Sequence, residues 1–236
     1  MKISIIVPAY NEEKTVSEIL QKLLKVNFGS WQKEIIVFND CSTDGTEKIL
    51  EKFKNEKLIK IFKHEKNLGK GAAVIDGIAK ASGDYVVIQD ADLEYDPNDI
   101  YKMLKVVEGN EGVVVYGSRL TLPPVLTGKN KTPLLLHYFG NKLLSLITSL
   151  LYGTWLTDME TCYKLFPRHA ATKIKLVSRG FEFEPEITAK LLKAGLKIVE
   201  VPISTKPRGY EEGKKLNTWK DGWRAMKALL KYRVVN

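Results

Sequence analysis

At 236 residues the chain is long enough for one well-buried α/β domain, or for two small ones at most. A composition of 44% hydrophobic and 28% charged residues excludes a disordered chain. Two cysteines, Cys41 and Cys162, exclude a disulfide framework and point to a reducing, cytoplasmic compartment. The net charge of +9 is unevenly placed: residues 197–236 hold ten Lys/Arg against four Asp/Glu, and residues 112–157 hold Arg119, Lys129, Lys131 and Lys142 with no acid. These basic stretches are mixed with Leu, Ile and Trp, which suits an anionic membrane surface, and no nucleic acid is expected as a partner.

The opening apolar run is too short for a signal peptide and leads straight into acids. Lys2 to Val7 reads as a strand, and Val16, Ile19, Leu20, Leu23 and Leu24 form one helical stripe. Glu34 to Phe38 is a second buried strand, and the cap- and turn-rich Asn39 to Gly45 opens a helix with Ile49, Leu50 and Phe53. Leu58 to Phe62 is a third strand, followed by a helix from Ala72 to Ala81 and a fourth strand at Tyr85 to Ile88. Asp96-Pro97 caps a helix carrying Ile100, Met103, Leu104 and Val107, and Val113 to Tyr116 is the next strand. This alternation predicts an α/β, Rossmann-like, mainly parallel twisted sheet with helices on both faces.

Beyond Gly117 the alternation breaks down. A Pro/Gly/Lys loop at 119–133 precedes an apolar, amphipathic helix at about 134–152. His137, Asn141 and Lys142 interrupt that helix, so it is not read as a membrane span. A strand–helix stretch, a strand at Ile198 to Ile203 and a basic helical tail complete the chain. One domain spans 1–236, with a nucleotide-binding half at 1–117 and a second half at 118–236.

The chemistry-bearing residues sit where strands end, the place where open α/β sheets bind ligands. Asp90-Ala91-Asp92-Leu93-Glu94 follows the fourth strand. Two carboxylates two residues apart can meet Mg²⁺ or Mn²⁺, with Glu94 continuing the period, and substrate phosphates supply the other ligands. The bland alternative is an acidic turn capping the next helix. Pro8-Ala9-Tyr10-Asn11-Glu12 follows the first strand and Asn39-Asp40 the second. Tyr10 can stack on a base or ribose and Asp40 can accept a base N–H, although Asn39-Asp40 also suits a helix cap. Lys70-Gly71 opens a helix whose N-terminus favours anions, but it is neither a P-loop nor a dinucleotide fingerprint.

Taken together, IIVPAYNEE, IIVFNDCSTDGT, NLGKGAA and VVIQDADLEYDP resemble glycosyltransferase family 2, the inverting enzymes of the GT-A fold. The resemblance implies that Pro8, Ala9, Tyr10, Glu12 and Asp40 hold the nucleotide. It also implies that Asp90 and Asp92 hold ribose, metal and diphosphate; Asn39 stands where the family often has Asp. VVYGSRL, LTDMETCYKLF, GFEFEPEI and VPISTKPRGYEEGKKL are similar to the dolichyl- or polyprenyl-phosphate sugar synthase branch. That likeness implies a hexose-type sugar moved from a UDP- or GDP-linked donor to a lipid phosphate. Arg119 and Arg208, with Lys129, Lys131 and Lys214 in the same basic loops, would meet the acceptor phosphate.

A lipid monophosphate is already anionic near neutral pH, its second pKa being roughly 6, so no strong base is needed. A hydroxyl acceptor would need one, and Asp158 is the carboxylate for that role unless it serves as a structural cap. A third reading, from another class, is a non-catalytic membrane-surface or nucleic-acid binding module built on the basic tail with Trp219 and Trp223. In the lipid-phosphate reading the enzyme is cytoplasmic and peripheral on the inner face of the cell membrane.

Overall fold

The computed structural model describes residues 1–121, 123, 135–206 and 218–235, with backbone alone at 218–220. Its first half alternates as expected: β1 (Lys2–Ala9), α1 (Val16–Lys25), β2 (Gln32–Asn39), α2 (Thr46–Glu51), β3 (Ile59–Lys63), α3 (Lys70–Lys80), β4 (Tyr85–Ile88), α4 (Asn98–Gly109) and β5 (Val114–Ser118). Then follow α5 (Leu135–Tyr152), β6 (Lys164–Pro167), α6 (Arg168–Lys173), α7 (Phe183–Lys193), β7 (Ile198–Pro202) and α8 (Thr218–Val234).

The seven strands form one sheet in the order β3-β2-β1-β4-β6-β5-β7. β1 pairs in parallel with β2 on one side and β4 on the other. The chain therefore builds outward from β1 to β3, then crosses back to lay β4 against β1. That reversal leaves a crevice at the C-terminal ends of β1 and β4, the usual ligand position in such sheets. The central strands are buried on both faces, which is why they read as continuous apolar runs: Ile3, Ile5, Ile6, Val7, Ile35, Ile36, Val37, Val86 and Val87 are all fully buried.

β6 departs from the parallel pattern. It runs antiparallel to both β4 and β5. Its N-terminal end therefore lies at the same edge as the C-terminal ends of its neighbours, and residues 156–163 are delivered to the crevice.

One polar group ties the other end of the sheet. Glu34 is 4% exposed and lies opposite Ser4 in the β1–β2 register. It accepts from Ser4 Oγ at 2.6 Å, Ser82 N at 2.7 Å and Lys60 Nζ at 2.9 Å. Burial pushes its carboxyl upward, but these bonds and Lys2 outweigh burial and hold it well below the usual carboxylate range. The folded state thus binds fewer protons than the unfolded one at acid pH. The stability from Glu34 is complete above the unfolded value, about 4.3, and fades as pH falls below it. Glu34→Gln is expected to lose about 1–3 kcal/mol at pH 7 and to lose less than the wild type on acidification. Urea unfolding at neutral and acid pH measures both; parallel pH dependences would remove Glu34 from this role.

Candidate active site

The crevice is a cleft of about 670 Å³. Pro8, Ala9, Tyr10, Glu12 and Asp40 line one end, and Asp90, Ala91, Asp92 and Glu94 line the β4 side. Lys70 and Arg119 also line it, with Tyr95, Glu160, Cys162, Glu184 and Arg224.

At the end lined by Pro8 to Tyr10 two loops are laced together. Asn11, at φ 52, binds Thr43 through its side chain, accepting from Thr43 N at 2.8 Å. Glu12 N donates to Thr46 Oγ1 at 2.8 Å, and Glu13 Oε2 accepts from Gly45 N. Asn39 accepts from the Ser42 N–H and hydroxyl, the turn-forming alternative for this residue. Asn11 and Asn39 therefore shape the loops and do not line the cleft. Asp40 is 2% exposed and braces a third loop, accepting from Leu68 N and Gly69 N, each at 2.8 Å, with His64 Nδ1 at 2.7 Å. Its Oδ2 receives only one of these bonds, which leaves acceptor capacity at the cleft wall.

Gly71 is likewise a packing residue. A Cβ there would lie 2.3 Å from Ser178 O, and one at Gly69, whose φ is 96, would lie 2.4 Å from Arg179 O. Both glycines let the start of α3 sit against residues 178–180. That contact brings α7 and α3 to the same cleft.

Lys70 occupies the middle. Its Nζ is 3.0 Å from Asp90 and 3.0 Å from Glu184. Burial opposes the charge, yet the Asp90 and Glu184 carboxylates hold the lysine well above its ordinary value. Burial pushes the neighbouring Cys162 thiol up, so it is a neutral wall group. Asp92 Oδ1 accepts from Glu94 N at 3.0 Å across Leu93, which sits at φ 64. Asp90, Asp92 and Glu94 share the cleft but do not converge into a three-carboxylate cluster; no such metal-holding group exists among the described residues. Two hard oxygen donors without a closed cage fit a Mg²⁺- or Mn²⁺-type ion whose other ligands are phosphates and water.

On the far wall, Arg119 follows β5 and is clamped by Asp158. Nε donates to Oδ2 at 2.7 Å, a second guanidinium nitrogen to Oδ1 at 2.7 Å, and the backbone N to Oδ2 at 2.9 Å. Asp158 is fully buried and does not line the cleft. The sequence offers Asp158 as a base for a hydroxyl acceptor or as a structural cap; in the structure both of its oxygens accept from Arg119. The carboxylate that reaches the cleft from this segment is Glu160, two residues later. Burial and Glu184 raise Glu160 above the ordinary carboxyl range. Beneath it Lys164 is fully buried, donates to the Met159 and Thr161 carbonyls, and is lowered by that burial.

Sequence reasoning missed Glu160, Glu184 and Arg224 as cleft residues. The first two lie inside segments quoted for their family likeness, but only the antiparallel β6 and the α3–α7 contact turn them toward the cleft. Lys129, Lys131, Arg208 and Lys214 lie outside the described residues, as does the side chain of Trp219.

Residues 4–174, well over half of the chain, match the family described as Glycosyl transferase family 2. The chain belongs to glycosyltransferase family 2. It is 33% identical over 222 residues to the UDP-N-acetylglucosamine–dolichyl-phosphate N-acetylglucosaminyltransferase of Methanococcus voltae, covering 86% of this chain and 85% of that protein. The low-salt glycan biosynthesis hexosyltransferase Agl6 of Haloferax volcanii is 29% identical over 228 residues, 97% of this chain and 53% of that protein. Glucosyl-3-phosphoglycerate synthase from Mycobacterium tuberculosis, solved with Mn²⁺, uridine diphosphate and phosphoglyceric acid, has a TM-score of 0.73 at 19% identity. That match covers 100% of this chain and 79% of the other, and it is a likeness of fold. Membership in this family makes the chain a GT-A-fold glycosyltransferase and removes the non-catalytic binding module from consideration.

The Arg119–Asp158 clamp carries a structural expectation. Asp158→Asn leaves a largely buried guanidinium unpaired, a change on the order of 3 kcal/mol. The thermal unfolding midpoint should drop accordingly; an unchanged midpoint would mean that solvent, not Asp158, neutralises Arg119.

Proposed function

We propose that this glycosyltransferase moves a sugar from a UDP-sugar to a dolichyl or polyprenyl phosphate, with inversion and with a divalent cation. The observation that carries the reading is the single cleft at the β1/β4 reversal, with Asp90 and Asp92 on one side and Arg119 on the other. One wall suits a diphosphate donor and the other an anionic acceptor. The Methanococcus voltae relative, named for UDP-N-acetylglucosamine and dolichyl phosphate, supports both assignments and makes N-acetylglucosamine the first sugar to test.

Pro8, Ala9, Tyr10, Glu12 and Asp40 hold the nucleoside in this reading. Asp90 and Asp92 would hold the cation, which offsets negative charge on the leaving diphosphate. Arg119, kept in place by Asp158, orients the acceptor phosphate. A phosphate oxygen forms the new bond to the anomeric carbon as the bond to the diphosphate breaks, and UDP departs. The phosphate is already deprotonated near pH 7, so the reaction needs no base. Engagement of both Asp158 oxygens by Arg119 therefore favours the phosphate over a hydroxyl acceptor.

The acceptor's lipid part calls for a membrane surface. α5 turns its small polar residues inward: Ser145 Oγ accepts from Met159 N and Ser149 Oγ from Leu156 N, at 2.8 and 3.0 Å. Its apolar stripe points out. Leu136, Phe139, Leu143, Leu146 and Leu150 are all exposed, the last by 76%, and Trp155 and Trp223 are exposed as well. Among the described residues no helix is long and apolar enough to cross a membrane. An outward Leu/Phe stripe with Lys142 on the same helix suits attachment to an anionic bilayer.

Purified protein with Mn²⁺ or Mg²⁺ should transfer from UDP-N-acetylglucosamine to polyprenyl phosphate. EDTA or Asp92→Asn should cut turnover by about 100-fold or more, since several kcal/mol of charge stabilisation is lost. Full activity in EDTA would refute the metal assignment, and transfer only to hydroxyl acceptors would refute the phosphate. The protein should also co-sediment with phosphatidylserine-containing vesicles at low salt. Leu143→Glu with Leu150→Glu should abolish that binding, and equal sedimentation of wild type and double variant would exclude the α5 stripe.

A further inference from the structure

Glu160 Oε1 and Glu184 Oε2 are buried yet have no hydrogen-bond partner among the described residues. A buried acceptor left unmade costs free energy, so two of them lining one cleft point to a ligand that supplies the donors. The two carboxyl groups reach the cleft from different segments, Glu160 from the turn before β6 and Glu184 from the first turn of α7. The Glu184 side chain is 5% exposed, and its other oxygen is held by Lys70 at 3.0 Å, so its orientation is set.

Their position narrows the ligand. Lys70 also holds Asp90, so Glu184 adjoins the diphosphate side of the cleft. Glu160 stands two residues from Asp158, the clamp of Arg119 on the acceptor side. The anomeric carbon must lie between those sides for direct transfer. A fully ionised phosphate offers no donor to an orphan carboxylate oxygen, and the described residues include no cluster of three that would hold a metal ion. A neutral group rich in O–H or N–H donors fits. Burial and the Glu184 charge raise Glu160, but protonated or ionised it keeps a lone pair for a hydroxyl.

We propose that Glu160 and Glu184 form the subsite for the transferred sugar, accepting hydrogen bonds from its ring hydroxyls or acetamido N–H. The assignment rests on the transferase reading above and adds to it the residues that choose the sugar.

Calorimetry without acceptor separates the possibilities. Wild type and Glu160→Gln are titrated with UDP and with UDP-N-acetylglucosamine. UDP affinity should stay within about twofold, while UDP-N-acetylglucosamine affinity should fall about tenfold, the scale of one charge-assisted hydrogen bond. Glu160→Asp, which withdraws the carboxyl by one methylene, should show the same selective loss and decides the matter if Glu160→Gln fails to fold. Equal weakening of both ligands would make Glu160 a structural residue and overturn the subsite. Unchanged affinity for both with lost turnover would make it a proton-transfer group and overturn it equally. Failure of wild type to bind either ligand would overturn the transferase reading itself, and the subsite with it.

Discussion

Burying two carboxylates side by side costs several kcal/mol per charge unless a cation lies between them, and at the centre of this fold that cation is Lys70. Its ammonium joins Asp90, at the end of β4, to Glu184, at the start of α7. These residues belong to segments far apart in the chain, so the contact holds the first half of the protein to the second. The glycines around Lys70 make the contact possible, because any side chain at Gly69 or Gly71 would strike the backbone at 178–180. The same ion pair also orients the Asp90 side chain beside the cleft.

The far wall is built on the same logic with a different pair. Arg119 is held at two nitrogens by Asp158, and Asp158 N in turn donates to Glu200 on β7. Replacing such a network by apolar residues could stabilise the fold, since buried ion pairs often contribute little net free energy. What the network supplies is position: a planar guanidinium fixed at a cleft wall. Lys164, over the Tyr116 ring at 4.5 Å, extends this charged layer beneath the floor.

α5 departs from the ordinary amphipathic arrangement by burying polar residues beside Leu144 and exposing an apolar stripe. A surface helix of a globular protein normally buries its apolar stripe and exposes its polar one. Here Ser145 and Ser149 face inward because the loop at 156–159 needs acceptors for its backbone N–H groups. Leu136, Leu143, Leu146 and Leu150 are left outside, while Leu144 packs into the core. One helix thus secures the segment that carries Asp158 and Glu160 and presents an apolar face to the outside.

Much of this was legible in the residues. Apolar runs at β1, β2 and β4 and the stripes of α1 and α4 reflect local periodicity, which depends only on neighbours in the chain. The strand ends that line the cleft, with Tyr10 and Glu12, Asp40, and Asp90 and Asp92, were legible for the same reason: each directly follows a buried strand. The family likeness placed Arg119 at the acceptor side, and the tertiary structure puts it on the cleft wall. The direction of β6, the partner of Asp158, the inward face of α5 and the meeting of Glu160 with Glu184 were not legible. Each depends on contacts between separate segments, whether 7 residues apart, as for Ser149 and Leu156, or 39, as for Arg119 and Asp158. Side-chain spacing states which residues share a face of an element. Which of those faces meets another, and which carboxylate is consumed by an arginine while its near neighbour stays open to the cleft, is decided only when the elements pack.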